Sequence, residues 1–282
     1  MNTAMLNDII TISLEAGKAI MNIYDSADFG VEMKADNSPL TLGDKASNDI
    51  IINGLREKFS EIPILSEEEI EIPYEDRKKW DKFWLVDPLD GTKEFIKKNG
   101  EFTVNIALIE KDIPTLGVIY APAYISEKPN LVNRQAGVKS HNFEENVVRT
   151  GAEDSKTSFC GTLYFTDGYN GSFKQLAGEE PTRITTISKD KSLIAVKSRS
   201  HSSEDEQKIM DEFGVTDSIS VGSSLKFCLV AEGKAQIYYR HGPTNEWDVG
   251  AGHAIVSAAG GKVEGLSYNK ENVLNSSFLV KA

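Results

Sequence analysis

Apolar residues near the start of the chain recur at helical spacing. Leu6, Ile9, Ile10, Ile20, Met21 and Tyr24 predict an amphipathic helix over about 5–25. Asn37, Ser38 and Pro39 then mark a turn. A second helix is expected after Asp44, with Ile50, Ile51, Leu55 and Phe59 on one face. The pattern then shortens. Ile62 to Leu65, Phe83 to Val86, Val104 to Ile109 and Leu116 to Tyr120 are apolar runs of strand length, bounded by Pro, Gly and charge. Their close succession after Asp87 predicts an antiparallel meander. From Tyr124 to Gly161 the periodicity disappears, and Asn, Ser, Glu and Lys dominate. That reads as a structureless inserted loop or lid. Strand patterns resume at Leu163–Phe165 and Ser172–Lys174. After Gly178 the chain alternates: strand Leu193–Lys197, helix Glu204–Phe213, helix Leu225–Glu232, strand Ala235–Arg240, helix Trp247–Ala259. Gly260 and Gly261 stop that last helix.

Length and charge narrow the reading. A chain of 282 residues suits one large domain or two coupled ones. The pattern divides it into an N-terminal α+β part over 1–178, with 124–161 inserted, and an α/β part over 179–282. Hydrophobic residues at 40% and charged ones at 26% exclude disorder or fibre for the whole chain. A formal net charge of -12 excludes polymeric nucleic acid as a partner. A small anion remains open, provided a metal supplies positive charge. Cys160 and Cys228 make no disulfide framework, which suits a reducing cytoplasm. The segment MNTAMLNDII lacks the marks of a signal peptide. No apolar run approaches the ~18 residues of a membrane span.

Four segments carry candidate chemistry. In Trp84-Leu85-Val86-Asp87-Pro88-Leu89-Asp90-Gly91-Thr92, an apolar strand runs into two aspartates. Carboxylates placed this way hold hard cations such as Mg²⁺. Gly91 lets backbone approach an anion, and Thr92 offers a hydroxyl and an amide. A plain strand, turn and helix with an Asp cap explains the same residues. Ile64 and Leu65 lead to Ser66-Glu67-Glu68-Glu69, which is either a second acidic site or a solvated face. Asp248, in Glu246-Trp247-Asp248-Val249-Gly250-Ala251-Gly252-His253, is a ligand or a helix cap. In Lys34-Ala35-Asp36-Asn37-Ser38-Pro39-Leu40-Thr41-Leu42-Gly43-Asp44, Asp44 is an N-cap or a general base. His141 and His253 lack zinc-like spacing and read as structural.

The order of these segments resembles the inositol monophosphatase superfamily of Mg²⁺-dependent, lithium-sensitive phosphatases. Within it the chain is most similar to the bacterial 3'(2'),5'-bisphosphate nucleotidases. Further pointers are Lys93-Glu94-Phe95, Gly100-Glu101-Phe102-Thr103-Val104-Asn105, Ser198-Arg199-Ser200-His201-Ser202, Gly222-Ser223-Ser224-Leu225-Lys226-Phe227-Cys228 and Arg240-His241-Gly242-Pro243-Thr244. The resemblance spans nearly the whole chain. It implies the layered αβαβα sandwich shared with fructose-1,6-bisphosphatase, with the site between the two halves.

The resemblance also implies roles. Glu67, Asp87, Asp90 and Asp248 would ligate two or three Mg²⁺ ions by carboxylate, and Leu89 by its carbonyl. Asp44 and Thr92 would orient and deprotonate the attacking water, with Glu67 beside them. Asp90, Gly91 and Thr92 would seat the phosphate. His201, Ser223, Lys226, Arg240 and Asp248 would grip the nucleotide. The implied reaction takes 3'-phosphoadenosine 5'-phosphate to AMP and phosphate, with 3'-phosphoadenylyl sulfate as a second substrate. Inositol or sugar phosphates are the rival substrates, though relatives preferring inositol phosphate tend to read DGTTNF. A non-catalytic metal or nucleotide sensor is the rival of another class. Three departures stand out. Gly43 replaces the usual Ala and is expected to loosen the helix start. His241 interrupts the usual RFGPT. More than thirty residues separate Ala123 from Thr162, where relatives have a short hairpin.

Overall fold

The structure, a computed structural model, describes residues 3–26, 28–34, 38–69, 72–126, 147–149, 156–188, 193–199 and 204–282. His141, His201, Asn37 and most of 124–161 therefore lie outside the described residues.

The first apolar stripe forms helix α1 (Thr3–Tyr24), burying Leu6, Ile9, Ile10, Ala16 and Ile20. A two-residue hairpin, β1 (Glu32–Met33) with β2 (Pro39–Leu40), leads into α2 (Leu42–Lys58). This helix starts two residues before Asp44, because Thr41 caps it. Its inner face carries Ile52 with Ile51 and Leu55, while Ile50 is only partly buried. Next come β3 (Ile64–Ser66), α3 (Tyr74–Arg77), β4 (Lys82–Asp90), α4 (Thr92–Ile96), β5 (Thr103–Glu110) and β6 (Ile113–Ala121). The chain continues through β7 (Val147–Arg149), β8 (Lys156–Ser158), β9 (Thr162–Thr166), β10 (Ser172–Leu176) and β11 (Thr182–Ile184). The last part holds β12 (Ile194–Ser198), α5 (Glu204–Glu212), β13 (Asp217–Val221), α6 (Leu225–Ala231) and β14 (Ile237–Arg240). It ends with β15 (Thr244–Asn245), α7 (Glu246–Ala258), β16 (Lys262–Glu264), β17 (Leu274–Asn275) and β18 (Phe278–Lys281).

Among the described residues, seven strands form one sheet in the order β11-β10-β9-β6-β5-β4-β3. The expected meander is present as β4, β5 and β6. The sheet is not wholly antiparallel: β3 runs parallel to β4, since the chain crosses back through α3 before re-entering. Five strands form the second sheet, ordered β13-β12-β14-β18-β16. There β12 lies parallel to both β13 and β14. The stretch expected to be structureless contains one antiparallel pair, β7 with β8, where Val147, Val148 and Thr157 favour extended backbone. On either side of the insertion, β6 still pairs with β9.

Both faces of the larger sheet are covered. In β4, Trp84 and Val86 join the core beneath α1 and α2, while Phe83 and Leu85 join the core beneath α6 and α7. That explains the continuous apolar run in place of alternation. Beyond α6 lies the second sheet, and Met210 of α5 packs on its outer side with Ala195 and Ile237. The layers are thus αβαβα. No helix among the described residues is long and apolar enough to cross a membrane.

The small residues of α7 let it press against β6. A Cβ placed on Gly117 would lie 2.6 Å from the Ala251 carbonyl oxygen, a backbone atom with no freedom to swing aside. Gly117→Ala is therefore expected to destabilise the fold by about 1–3 kcal/mol. Urea denaturation checks this, and an unchanged midpoint would mean that α7 is not seated so closely.

Candidate active site

Parallel pairing makes β3 and β4 end at the same edge. Glu67 follows β3, and its N–H donates to the Val86 carbonyl at 3.2 Å. On β4, Asp87 sits opposite Asn105 and Asp90 opposite Thr103, with a register break between them. Such an irregularity re-aims side chains. The break is held by Ser47 Oγ donating to the Pro88 carbonyl at 2.6 Å and by Leu89 N–H donating to Asp87 Oδ1 at 3.0 Å. From the opposite side, α7 presents Asp248. Carboxylate oxygens of Glu67, Asp87 and Asp248 all lie within 4.8 Å of one another. Paired metals need a similar spacing, roughly 3.5–4 Å.

Asp90 stands beside this trio with one oxygen already committed. Its Oδ2 accepts from Ser223 Oγ at 2.8 Å and from the Ser224 N–H at 2.6 Å. Burial and mutual repulsion act on all four acids. Asp87 is pushed well up by burial, then by Glu67, Asp90 and Asp248. Asp248 is pushed well up by burial, then by Asp90 and Glu67. Burial also raises Asp90, against the pull of Lys226 and the serine donors. It raises Glu67 against the pull of Lys34. Lys34 Nζ reaches Glu67 at 2.8 Å and Glu68 at 2.5 Å. Glu69 instead accepts from Asn48 and Arg56. A buried set of hard oxygen donors carrying this much like charge fits a hard divalent cation.

Asp44 and Thr92 meet, as expected. Thr92 Oγ1 donates to Asp44 Oδ1 at 3.1 Å, and Asp44 Oδ2 accepts from Thr41 N–H at 2.7 Å and Thr41 Oγ1 at 2.6 Å. Burial raises the Asp44 carboxyl, while the Thr41 and Thr92 donors oppose the rise. Asp44 is thus both a helix cap and a partner of Thr92. Asp248 repeats the arrangement on α7, accepting the Asn245 N–H on Oδ2 at 2.8 Å. Gly43 does not loosen the helix start. The capping box closes it, and a Cβ there would meet Leu89 Cδ1 at 3.1 Å and Phe95 Cζ at 3.2 Å.

Of the sequence-derived candidates among the described residues, all except Asp44 line one hollow of about 350 Å³. Gly91 has φ +91°, and Ser223 has φ +56° despite its side chain. Lys226 is buried, donates from Nζ to the Ser223 carbonyl at 2.6 Å, and stands 5.7 Å from the Tyr238 ring centre. Burial lowers its pKa, against the pull of Asp90. Arg240, in the same hollow, keeps a buried Nε without a partner among the described residues. His241 faces Asp205 at 3.5 Å, away from the hollow. His253 contacts the Tyr268 hydroxyl at 2.9 Å, and burial lowers it to about 4, so it is neutral and structural. A second hollow of about 300 Å³ is lined by Arg183, Ile184, Thr185, Ala258 and Ala259, with no carboxylate, histidine or cysteine among them. Sequence reasoning assigned no role to Lys34, Glu101, Thr103, Asn105 or Arg199, all close to the site. Their signal was present only as members of the quoted stretches that begin at Lys34, Gly100 and Ser198.

This fold and site define a class. The profile of the inositol monophosphatase family matches residues 2–282, and the chain belongs to that family. It is 41% identical over 284 residues to the 3'(2'),5'-bisphosphate nucleotidase CysQ of Escherichia coli O157:H7, spanning 98% of this chain and 99% of that one. The Haemophilus influenzae CysQ is 30% identical over 288 residues, covering 99% and 93%. Among solved structures, CysQ from Bacteroides thetaiotaomicron superposes with a TM-score of 0.77 at 37% identity, covering 99% of this chain and 97% of that one. An IMPase of Thermotoga maritima shares the fold, with a TM-score of 0.69 at 24% identity and coverage of 99% and 92%.

The raised carboxyls have a consequence for stability. Folded, metal-free protein holds protons on these acids that the unfolded chain releases above about pH 4. Their contribution therefore weakens as pH rises. Chelator-stripped protein is expected to lose stability as pH rises from about 4 through the raised pKa values, so that it melts lower at pH 8 than near pH 5, and Mg²⁺ is expected to restore more at pH 8. Asp87→Asn should flatten this dependence. Calorimetric melting across pH checks it, and a wild-type profile already flat in the absence of metal would contradict it.

Proposed function

We propose that the chain hydrolyses the 3'-phosphate of 3'-phosphoadenosine 5'-phosphate, giving AMP and phosphate, and that it also accepts 3'-phosphoadenylyl sulfate. The observation that carries this is one hollow lined by a carboxylate cluster, by Thr92 with Asp44 hydrogen-bonded behind it, and by the basic groups Lys226 and Arg240. Relatives about 40% identical over the whole chain and named as bisphosphate nucleotidases support it.

Glu67, Asp87, Asp90, Asp248 and the Leu89 carbonyl would hold two or three Mg²⁺ ions. When bound, these ions neutralise the phosphate and the leaving oxygen and acidify water. The protein supplies the rest. Thr92 gives its hydroxyl proton to Asp44, which leaves the threonine oxygen free to accept a proton from water. The Asp44 carboxylate ends with the relayed proton and is neutralised, the hydroxide left behind attacks phosphorus, and the Thr41 donors keep Asp44 oriented. The backbone at Gly91 and Thr92 faces the phosphate at the start of α4. Lys226 donates one N–H to the Ser223 carbonyl, and its ammonium has further donors with which it would meet an anion. Arg240 Nε is similarly open. His201 would join them. A bisphosphate needs such a second grip, whereas an inositol monophosphate does not.

The role follows from the substrate: clearing a by-product of sulfate assimilation in the cytoplasm, with inhibition by Li⁺. Phosphate release should be compared on the bisphosphate nucleotide, inositol phosphate and fructose bisphosphate. A clear preference for either of the last two would sink the specificity, and no release from any would favour a sensor. Thr92→Ala should lower kcat more than it raises KM. Near-normal kcat would remove Thr92 from the mechanism. Lys226→Ala should cost the bisphosphate roughly 1.5–3 kcal/mol more than a small monoester. Equal losses on both would assign Lys226 to the shared site.

A further inference from the structure

Glu101 ends the turn before β5 and is buried, with its side chain 10% exposed. Three donors converge on its carboxylate. Arg199 contributes Nε to Oε2 at 2.7 Å and Nη2 to Oε1 at 2.5 Å, a bidentate fork. The Gly222 N–H donates to Oε2 at 2.8 Å. Arg199 Nη2 also reaches the Ser220 carbonyl at 2.9 Å. One carboxylate of the first half thus holds both β12 and the end of β13 in the second. Immediately past Gly222 stands Ser223, in the left-handed region at φ +56°. A side-chain-bearing residue stays there only when its surroundings impose it. The imposed conformation is the one that aims Ser223 Oγ and the Ser224 N–H at Asp90 Oδ2.

We propose that Glu101 and Arg199 are a positioning pair: by clamping the turn at Gly222–Ser224 they fix the Asp90 carboxylate and so set the affinity of the site for divalent metal. This rests on the reading of Asp90 as a ligand. With Oδ2 held by two donors, Oδ1 keeps one direction. Without the clamp the turn relaxes out of the left-handed region and Asp90 rotates. Space around the turn is tight as well. A Cβ on Gly222 would meet Glu94 Cγ at 2.8 Å and the Glu101 carbonyl at 3.0 Å, so the turn follows wherever Glu101 is held.

The test is Mg²⁺ titration of substrate-free, full-length protein by calorimetry, beside kcat and melting temperature. Arg199→Gln is expected to weaken Mg²⁺ binding roughly 10–100-fold, the usual effect of removing a group that orients a ligand. Activity at saturating Mg²⁺ should largely return. Glu101→Gln should act alike, and the double variant should be little worse than either single one, as for residues of one unit. Arg199→Lys, a point donor lacking the fork, should recover only part of the affinity, and it carries the test should Arg199→Gln not fold. Unchanged Mg²⁺ affinity in folded Arg199→Gln or Arg199→Lys, with only a lower melting temperature, overturns the proposal and leaves a brace of the fold. Failure of the metal reading is seen separately: wild type would bind no Mg²⁺, or Asp90→Asn would bind as well as wild type.

Discussion

Like charges crowded into a buried hollow are the constraint around which this molecule is arranged. Glu67, Asp87 and Asp248 stand within 4.8 Å of one another, and Asp90 adds a fourth charge beside them. Left free, such groups would swing apart into water. Each is instead carried on an element that has another reason to be rigid. Asp87 and Asp90 lie on a strand buried on both faces, Glu67 follows the strand paired to it, and Asp248 belongs to a helix pressed between two sheets. The five-layer architecture is what brings acids from three separate parts of the chain to one edge.

Two helices serve the site by the same local device. Asp44 and Asp248 each occupy the third position of a helix and accept the N–H of the capping residue. One carboxylate oxygen is used for the cap, so the other has a defined direction. In α2 that free oxygen receives Thr92 Oγ1, and in α7 the capped carboxylate joins the cluster with Glu67 and Asp87. Capping and chemistry are not alternatives at these positions. The cap is what aims the carboxylate into the site.

A seam of short polar contacts closes the site between the two sheets. Thr103 Oγ1 lies 2.6 Å from Ser223 Oγ and 2.8 Å from Ser224 Oγ, and Ser224 Oγ donates to Asn105 Oδ1 at 2.8 Å. Glu101 and Arg199 extend the seam toward solvent. On the far side, Glu232 gathers Lys174, Lys234, Tyr164 and Ser126 from both halves, and these donors hold its carboxyl below the usual range despite burial. Satisfied buried networks of this kind specify one arrangement in a way that apolar packing alone does not.

Local pattern determined a great deal. The 3.6-residue stripe of α1, the apolar runs of β4 to β6 and the Gly stop after α7 can be read directly, because they reflect contacts between near neighbours in the chain. The carboxylates Asp87, Asp90 and Asp248 were legible as candidates for the same reason, each sitting where a run of one period gives way to a turn or a helix start. The tertiary structure decided the rest. The two-residue strands β1, β2, β15 and β17 exist only through their partners, and no periodicity fits in two residues. The parallel pairing of β3 with β4 sets Glu67 beside Asp87, and their spacing in sequence leaves that open. Arg199 and Glu101 stand 98 residues apart, and Ser224 and Asp90 stand 134 apart. Sequence encodes which side chains are available and which local element carries them. Whether two such elements meet depends on the free energy of burying both faces of the sheet at once, and that balance is struck only when the whole chain is folded.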